Sequence, residues 1–293
     1  MEYTEEYIEK HADVFDWDKL VKEYQLSEDF IEKYANYMDW GLITRFQPMS
    51  ETFIKKHTKD IYWDFLPAYQ KLSEDFIERH RKRLNWVATS AHQKLSYRFI
   101  EKHRNDVDWM SVSSYQILSE DFIERNINRL NIDLVSIFQI LSEDFMERNI
   151  NRLSMQLVSS YQKLSKLFIK KHNIKLYNDL WLYKSTAFKK KQVMKTMKYE
   201  CFDDYFIAYK AIRWDRYSHH NFQYQYLPNQ TYEAHADFTD EENSFGLSAW
   251  TEEGARSYNN SGLIVKVKIY YEDVARVVQN GDKIRCTKLT VLE

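Results

Sequence analysis

Five histidines, His11, His57, His80, His103 and His172, recur at one position of a 23-residue period, an arrangement from which an imidazole ladder for a metal ion could be built. A metal requires its donors to converge within about 2 Å of one point, whereas packed helical units stand about 10 Å apart. The spacing therefore predicts buried or half-buried histidines, each bonding to a neighbouring turn, with no metal site and no cofactor. Tyr34, Asn126 and Asn149 fill the same position in other units. Paired carboxylates such as Glu74 and Asp75 are explained by the helix dipole, which favours negative charge in a first turn. A basic set, Arg79, Arg83, Arg125, Arg129, Arg148 and Arg152, lines one edge of the repeats, either as a solvated face or as an anion-binding or protein-binding edge. Beyond the period lie Arg213, Ser248 and Tyr258 as candidate catalytic residues, and Arg213, Asn221, Tyr224, Ser248, Trp250 and Tyr258 as a candidate ligand-binding set. His219 and His220 sit in a polar turn and read as loop residues.

The elements that would hold these residues follow from the period. Thr4, Ser27, Ser50, Ser73, Ser96, Ser119, Ser142 and Ser165 are each 23 residues apart, and a fixed period of this length means one supersecondary unit stacked many times. In the unit starting at Leu72, Ser73 reads as an N-cap, Glu74 and Asp75 as the acidic first turn, and Leu72 with Ile77 as a hydrophobic staple. The apolar stripe Phe76, Ile77, His80 and Leu84 predicts a first helix of about ten residues. Trp63, Leu66 and Tyr69, or Trp109, Val112 and Tyr115, predict a shorter second helix closed by the recurring Gln70, Gln93, Gln116, Gln139 and Gln162. Such a pair cannot bury its own apolar faces and must lean on its neighbours. Columns of Phe (Phe30 to Phe168) and of Ile or Met (Ile31 to Ile169) should form the core, with Trp17, Trp40, Trp63, Trp86 and Trp109 as a second column.

Of 293 residues, 44% are hydrophobic and 29% charged, with a formal net charge of −2, so composition describes a folded chain and disfavours nucleic acid as a partner. The two cysteines, Cys201 and Cys286, have no metal-ligand spacing and read as reduced core thiols, which fits an intracellular location. No apolar run approaches the roughly 20 residues of a membrane span. The acidic start lacks the basic and apolar regions of a signal peptide and carries repeat features, so the expectation is an intracellular protein with no membrane anchor.

The period fails after residue 183. Residues 184–199 hold six lysines and no acid up to Lys198 and read as a basic helical connector. Residues 200–293 carry fifteen carboxylates against ten basic side chains and could meet that connector in cis. Candidate strands there are Tyr205 to Arg213, Thr231 to Ala236, Ser244 to Trp250, Leu263 to Tyr270 and Lys283 to Leu292, with one helix, Thr251 to Tyr258, capped by Thr251. The expected fold is α+β: an all-α solenoid of eight helix pairs over residues 1–183, the connector, and a small β-rich α+β domain.

The repeat Leu72 to Arg79 with its following Trp86 is similar to short helical repeats of bacteriophage and large-DNA-virus proteins, over about 60% of the chain. The last ninety residues, through Tyr209 to Arg213, Asn221 to Tyr224, Thr231 to Asp237, Ser244 to Trp250 and Asp282 to Val291, resemble a small domain appended to such proteins. That resemblance implies a viral origin and brings no established activity. The same region also resembles ADP-ribosyltransferases of the arginine-serine-glutamate type. There Arg213 and Ser248 match the strand-borne arginine and serine, and Ala255 and Tyr258 the helix. The late strand reads Asp282 to Cys286 with no glutamate, so Asp282 or Glu272 would have to supply the acidic group that stabilises a cationic sugar.

These readings give a non-catalytic interaction protein that binds or inhibits a host or viral protein through the array, in the host cytoplasm if viral, with the C-terminal domain as a second binding module. The alternative is an ADP-ribosyltransferase-like enzyme or a nucleotide-binding sponge acting through that domain.

Overall fold

Caps set the start of each helix. In a computed structural model that describes residues 3–176, 181–259 and 262–292, Thr4 and the seven serines of the period are all N-caps whose hydroxyl accepts from the backbone N–H three residues on. The first helices are six or seven residues long, as in Glu28–Tyr34 and Glu74–His80, and stop short of the ten expected. Beyond the histidine position a separate turn forms, closed by Arg83 N–H donating to the His80 carbonyl at 2.8 Å, and it delivers Leu84 to the core. The second helices are just as long, as in Trp86–His92, because each has its own cap: Asp16, Asp39, Asn85, Asp108, Asn131 or Ser154 accepts from the N–H three residues on. The third unit has Tyr62 at that place, and its second helix shrinks to Leu66–Tyr69.

The Phe column is buried from Phe30 to Phe168, and Ile31, Ile54, Ile77, Ile100, Ile123 and Met146 are fully enclosed, whereas Ile169 in the last unit is only half-buried. Each such side chain contributes about 1.5–3 kcal/mol of hydrophobic stabilisation. The Trp column is half-buried and packs over it: Trp40 lies 6.1 Å from Phe53, Trp63 6.2 Å from Phe76 and Trp86 6.4 Å from Phe99, ring centre to ring centre.

Three sets of polar bonds join one unit to the next. The recurring glutamine is buried and does more than end its helix. Gln47 accepts from Leu26 N–H at 2.9 Å and donates to the carbonyls of Val21 and Tyr24. Gln70, Gln93, Gln139 and Gln162 each repeat this on the unit before. The glutamate after the cap accepts from the next unit's cap serine: Glu5 takes Ser27 N–H at 2.6 Å and its hydroxyl at 2.9 Å, and Glu28, Glu74, Glu120 and Glu143 do the same one unit further on. These carboxylates therefore serve as inter-unit acceptors, a role added to the dipole effect. The third set consists of ion pairs between residues 24 apart, described with the surface below.

The chain divides into two compact units. The first combines residues 1–107 with 212–225 and 259–263. Within it Gly262 adopts φ +133°, and a Cβ there would lie 2.1 Å from the Ile212 carbonyl oxygen. The second combines residues 108–211, 226–258 and 264–293. It holds the connector, a helix over Thr186–Thr196 capped by Ser185, and the sheet.

The strands are β1 Glu200–Cys201, β2 Tyr205–Ile212, β3 Thr231–Glu233, β4 Leu247–Trp250, β5 Leu263–Tyr270, β6 Val274–Val278, β7 Lys283–Cys286 and β8 Lys288–Val291. They form one sheet in the order β3-β8-β5-β2-β4-β7-β6, with β1 on β2, and the registered pairs are antiparallel. The fold class is α+β, as the sequence predicts. The expected single strand from Lys283 to Leu292 is two strands broken at Thr287, whose N–H donates to the Asp273 carbonyl. Among the described residues no helix is long and apolar enough to cross a membrane.

Candidate interaction surface

The histidine position is an aromatic slot. Its ring sits over the Phe one turn back and beneath the preceding unit's Trp: His57 is 4.4 Å from Phe53 and 4.7 Å from Trp40, and His80 is 4.4 Å from Phe76 and 4.9 Å from Trp63. Asn126 and Asn149, in the same place, donate to the carbonyls of Phe122 and Phe145. Among the described residues no group of three or more His, Cys, Asp or Glu side chains is arranged to hold a metal ion.

Beside this slot runs the charged edge. The residue before it is basic in every unit: Lys10, Lys33, Lys56, Arg79, Lys102, Arg125, Arg148 and Lys171. The glutamate 24 residues earlier answers it in Glu9–Lys33 at 2.9 Å, Glu78–Lys102 at 2.8 Å, Glu124–Arg148 at 3.1 Å, Glu147–Lys171 at 2.8 Å and also Glu32–Lys56. Where the slot holds histidine the same carboxylate can reach it too. Glu78 is 2.6 Å from His103 Nε2, and Glu147 is 2.7 Å from His172 Nε2. The Lys102 and Lys171 ammoniums, helped by those histidines, hold Glu78 and Glu147 below the usual carboxylate range.

The six arginines singled out from sequence thus differ in kind. Arg148 is paired with Glu124, Arg152 donates to Asn128 Oδ1 at 3.3 Å, and Arg125 donates to the Asp121 carbonyl. Arg83 donates to the Thr58 carbonyl and lays its guanidinium 3.9 Å above the Trp63 ring. Arg79 and Arg129 are exposed.

The opposite end of each second helix carries a column, Phe46, Tyr69, His92, Tyr115, Phe138 and Tyr161, of which the apolar helix pattern includes only Tyr69 and Tyr115. Their 23-residue recurrence was the available signal. In the first unit this column receives residues 212–225. The Arg213 guanidinium donates to the Tyr69 carbonyl, His92 Nδ1 bonds to the His220 carbonyl at 2.7 Å, and Phe222 N–H donates to the His92 carbonyl at 2.9 Å. In the second unit Phe245 packs 4.5 Å from Phe138 and 6.1 Å from Tyr161. His235 stacks on Phe245 at 5.6 Å. Its Nε2 is enclosed without a partner, and burial pushes the imidazole down to about 4, although the residue as a whole keeps some exposure.

The candidate ligand residues fall into two groups. Arg213, Asn221 and Tyr224 belong to the first unit. There Arg213 is buried and also holds Asp215 at 3.1 Å, Asn221 Oδ1 accepts from Gln223 N–H in a tight turn, and burial raises the Tyr224 phenol. Ser248, Trp250 and Tyr258 belong to the second unit. Trp250 stacks on Tyr258 at 4.5 Å, Lys283 Nζ lies 5.4 Å from the Trp250 ring, and the Ser248 carbonyl accepts from Lys210 at 2.8 Å. Burial lowers Lys210 to about 8 and raises the neighbouring Cys286 thiol to about 12. Next to Tyr258, an open depression of about 480 Å³ is lined by Glu252, Glu253, Arg256 and Ser257, with Arg256 paired to Glu252 at 2.8 Å. Its lining is acidic on balance, which opposes a phosphate-bearing ligand. Asp282, considered as an acidic group for sugar chemistry, pairs with Lys198 at 3.0 Å.

The connector does meet the acidic C-terminal residues: Lys189 donates to the Glu272 carbonyl at 2.9 Å and Lys190 to the Asp203 carbonyl at 2.6 Å. No family model, curated protein or solved structure matches the chain.

Proposed function

We propose that this is a non-catalytic interaction protein whose repeat array presents its charged first-helix edge to a partner protein. The observation that carries the reading is the division of labour between the two sides of the repeats. In each compact unit, residues from the C-terminal third cover the aromatic column at the end of the second helices, at Tyr69 and His92 in one and at Phe138 and Tyr161 in the other. The edge bearing Arg79, Lys102 and Arg148 stays exposed. Repeat arrays offer long surfaces of this kind for binding. The resemblance to viral repeat proteins makes a host protein the natural partner.

An enzyme reading finds less support, because the Arg213 guanidinium is already engaged by Asp215 and the Tyr69 carbonyl. The test is affinity capture with the full chain, wild type and with Lys102 and Arg148 both changed to Glu, followed by identification of retained proteins. A partner held by the wild type and released by the double variant is the expected result. Retention of the same proteins by both chains would refute the use of this edge. Labelled nicotinamide dinucleotide incubated with the chain and lysate should give no modified product, and a product abolished by Arg213→Ala would overturn the non-catalytic reading.

A further inference from the structure

The column that reads Glu9, Glu32, Glu78, Glu101, Glu124 and Glu147 has Lys55 in the third unit and Lys170 in the last. Lys170 has no further repeat to face, so between repeats the ion-pair ladder changes sign at Lys55. Lys55 therefore stands 24 residues before Arg79 and 25 before His80, where Glu78 stands to Lys102 and His103 and Glu147 to Lys171 and His172. In those two units one carboxylate bridges an ammonium and an imidazole at 2.6–2.8 Å. In the fourth unit the equivalent donors, Arg79 and His80, meet an ammonium in place of the carboxylate. Lys55 Nζ lies 5.8 Å from the Phe76 ring, within the Trp63, His80 and Phe76 stack, and Arg83 covers the Trp63 face. Among the described residues no ion pair involves Lys55, Arg79 or His80. The adjacent carboxylate, Glu51, accepts from Ser73 N–H at 2.7 Å. Burial first, then Arg83, Lys55 and Arg79, hold the His80 imidazole below its ordinary value, with Glu51 opposing them.

Resting on the interaction reading above, we infer that Lys55, Arg79 and His80 form a docking point for an aspartate- or glutamate-rich segment of the partner protein. The donors are those that elsewhere on the same edge bind a carboxylate of this chain, so a partner's carboxylate completes a bridge that the repeat already builds at Glu78 and Glu147. Complementary charge of this kind sets specificity and association rate.

The probe is a fluorescein-labelled dodecapeptide of alternating Glu and Gly, titrated into the full chain and followed by anisotropy at low and moderate salt. Saturable binding that weakens as salt rises is expected. Lys55→Glu restores the ladder's own carboxylate opposite Arg79. It should leave the far-UV spectrum and melting midpoint unchanged or improved while weakening the peptide by at least about tenfold, a change of about 1.4 kcal/mol. Arg79→Gln should weaken it several-fold. Absence of binding at low salt, or binding indifferent to Lys55→Glu in a folded variant, overturns the assignment. So does an oligothymidylate of equal charge that binds more tightly with the same dependence on Lys55, since the surface would then read a nucleic acid. Capture of a protein partner that persists in Lys55→Glu overturns this docking point while leaving the interaction role standing.

Discussion

Replacing Gln93 by Leu should cost this chain about 3 kcal/mol, although the substitution conserves volume and adds apolar surface to a core. Gln93 is 1% exposed. Its Oε1 accepts from Leu72 N–H at 2.9 Å, and its Nε2 donates to the carbonyls of Pro67 and of Gln70, the latter at 2.8 Å. Leucine leaves one N–H and two carbonyls buried and unpaired, and each such group costs about 1–3 kcal/mol. The low end applies, since the loosened unit can admit some water. Urea unfolding of the full chain followed by far-UV circular dichroism gives the difference, with Lys94→Ala, on the exposed surface, as a control that stays within about 0.5 kcal/mol. Hydrogen exchange supplies a local readout: the Leu72 amide should lose protection while the Leu26 amide, held by Gln47, keeps it. Gln93→Glu adds a pH test. It keeps the acceptor for Leu72 but turns a buried carboxylate toward two carbonyls, so its folded pKa is raised above the unfolded value near 4.3. Its relative stability is then best below that pH and falls as pH rises through the folded pKa. A Gln93→Leu variant within about 0.5 kcal/mol of wild type, with Leu72 still protected, would refute the ladder as a source of stability.

His235 predicts the acid limb of the stability curve. Its folded pKa of about 4 lies below the unfolded value of about 6.5, so the unfolded chain takes up the proton first. The stabilisation is complete above about pH 6.5 and is lost as pH falls toward 4, amounting to about 2 kcal/mol once its partial exposure is allowed for. His235→Phe should flatten that limb in denaturant midpoints measured between pH 4 and 7, and an unchanged slope would remove His235 as its cause. At Tyr62, Asp should supply the cap that the other second helices possess. The Phe65 N–H, which now donates to the Tyr62 carbonyl at 3.0 Å, would gain a side-chain acceptor worth about 1 kcal/mol, offset in part by the lost Tyr62–Phe65 stack. A net gain of about 0.5 kcal/mol in thermal or urea unfolding is expected, and a loss would show that the ring matters more than the cap.

What the sequence disclosed and what it hid divide along the distance between partners. Ser73 with Glu74, Leu72 and Ile77 announces a helix start within six residues, and the start is where it was expected. The second caps, Asp16, Asp39, Asn85 and their equivalents, are equally local and stand directly before the Trp column, but the apolar spacing alone does not mark them. The function of Gln47 or Gln93 is different in kind: their partners lie 21 to 26 residues back in a neighbouring unit, and nothing near the glutamine in sequence specifies them. The same holds for the aromatic column from Phe46 to Tyr161, whose cover comes from Arg213, Phe222 and Phe245. Strand β6, Val274–Val278, went unread because the 3-10 turn at Tyr271–Asp273 leads straight into it from β5 with no Gly or Pro between.

Two departures from the repeat pattern, Tyr62 and Lys55, bear on function unequally because the positions they occupy have different energetic weight. A cap residue governs how a helix begins, and Tyr62 accompanies a second helix of four residues in place of seven. An exposed ion pair contributes only about 0–1 kcal/mol, so position 55 can change charge while Ser50, Phe53 and Ile54 still build their helix. Stability places weak constraint on that column, and Glu9, Glu32, Glu78, Glu124 and Glu147 make their ion pairs with the following unit all the same. A reversal in such a column is therefore cheap for the fold and large for anything that approaches the edge. It converts a neutralised stretch into one where exposed Lys55 and Arg79 flank the half-buried His80. Specificity in a repeat protein is best sought at this combination, a position the fold tolerates in either charge and the surface displays in only one.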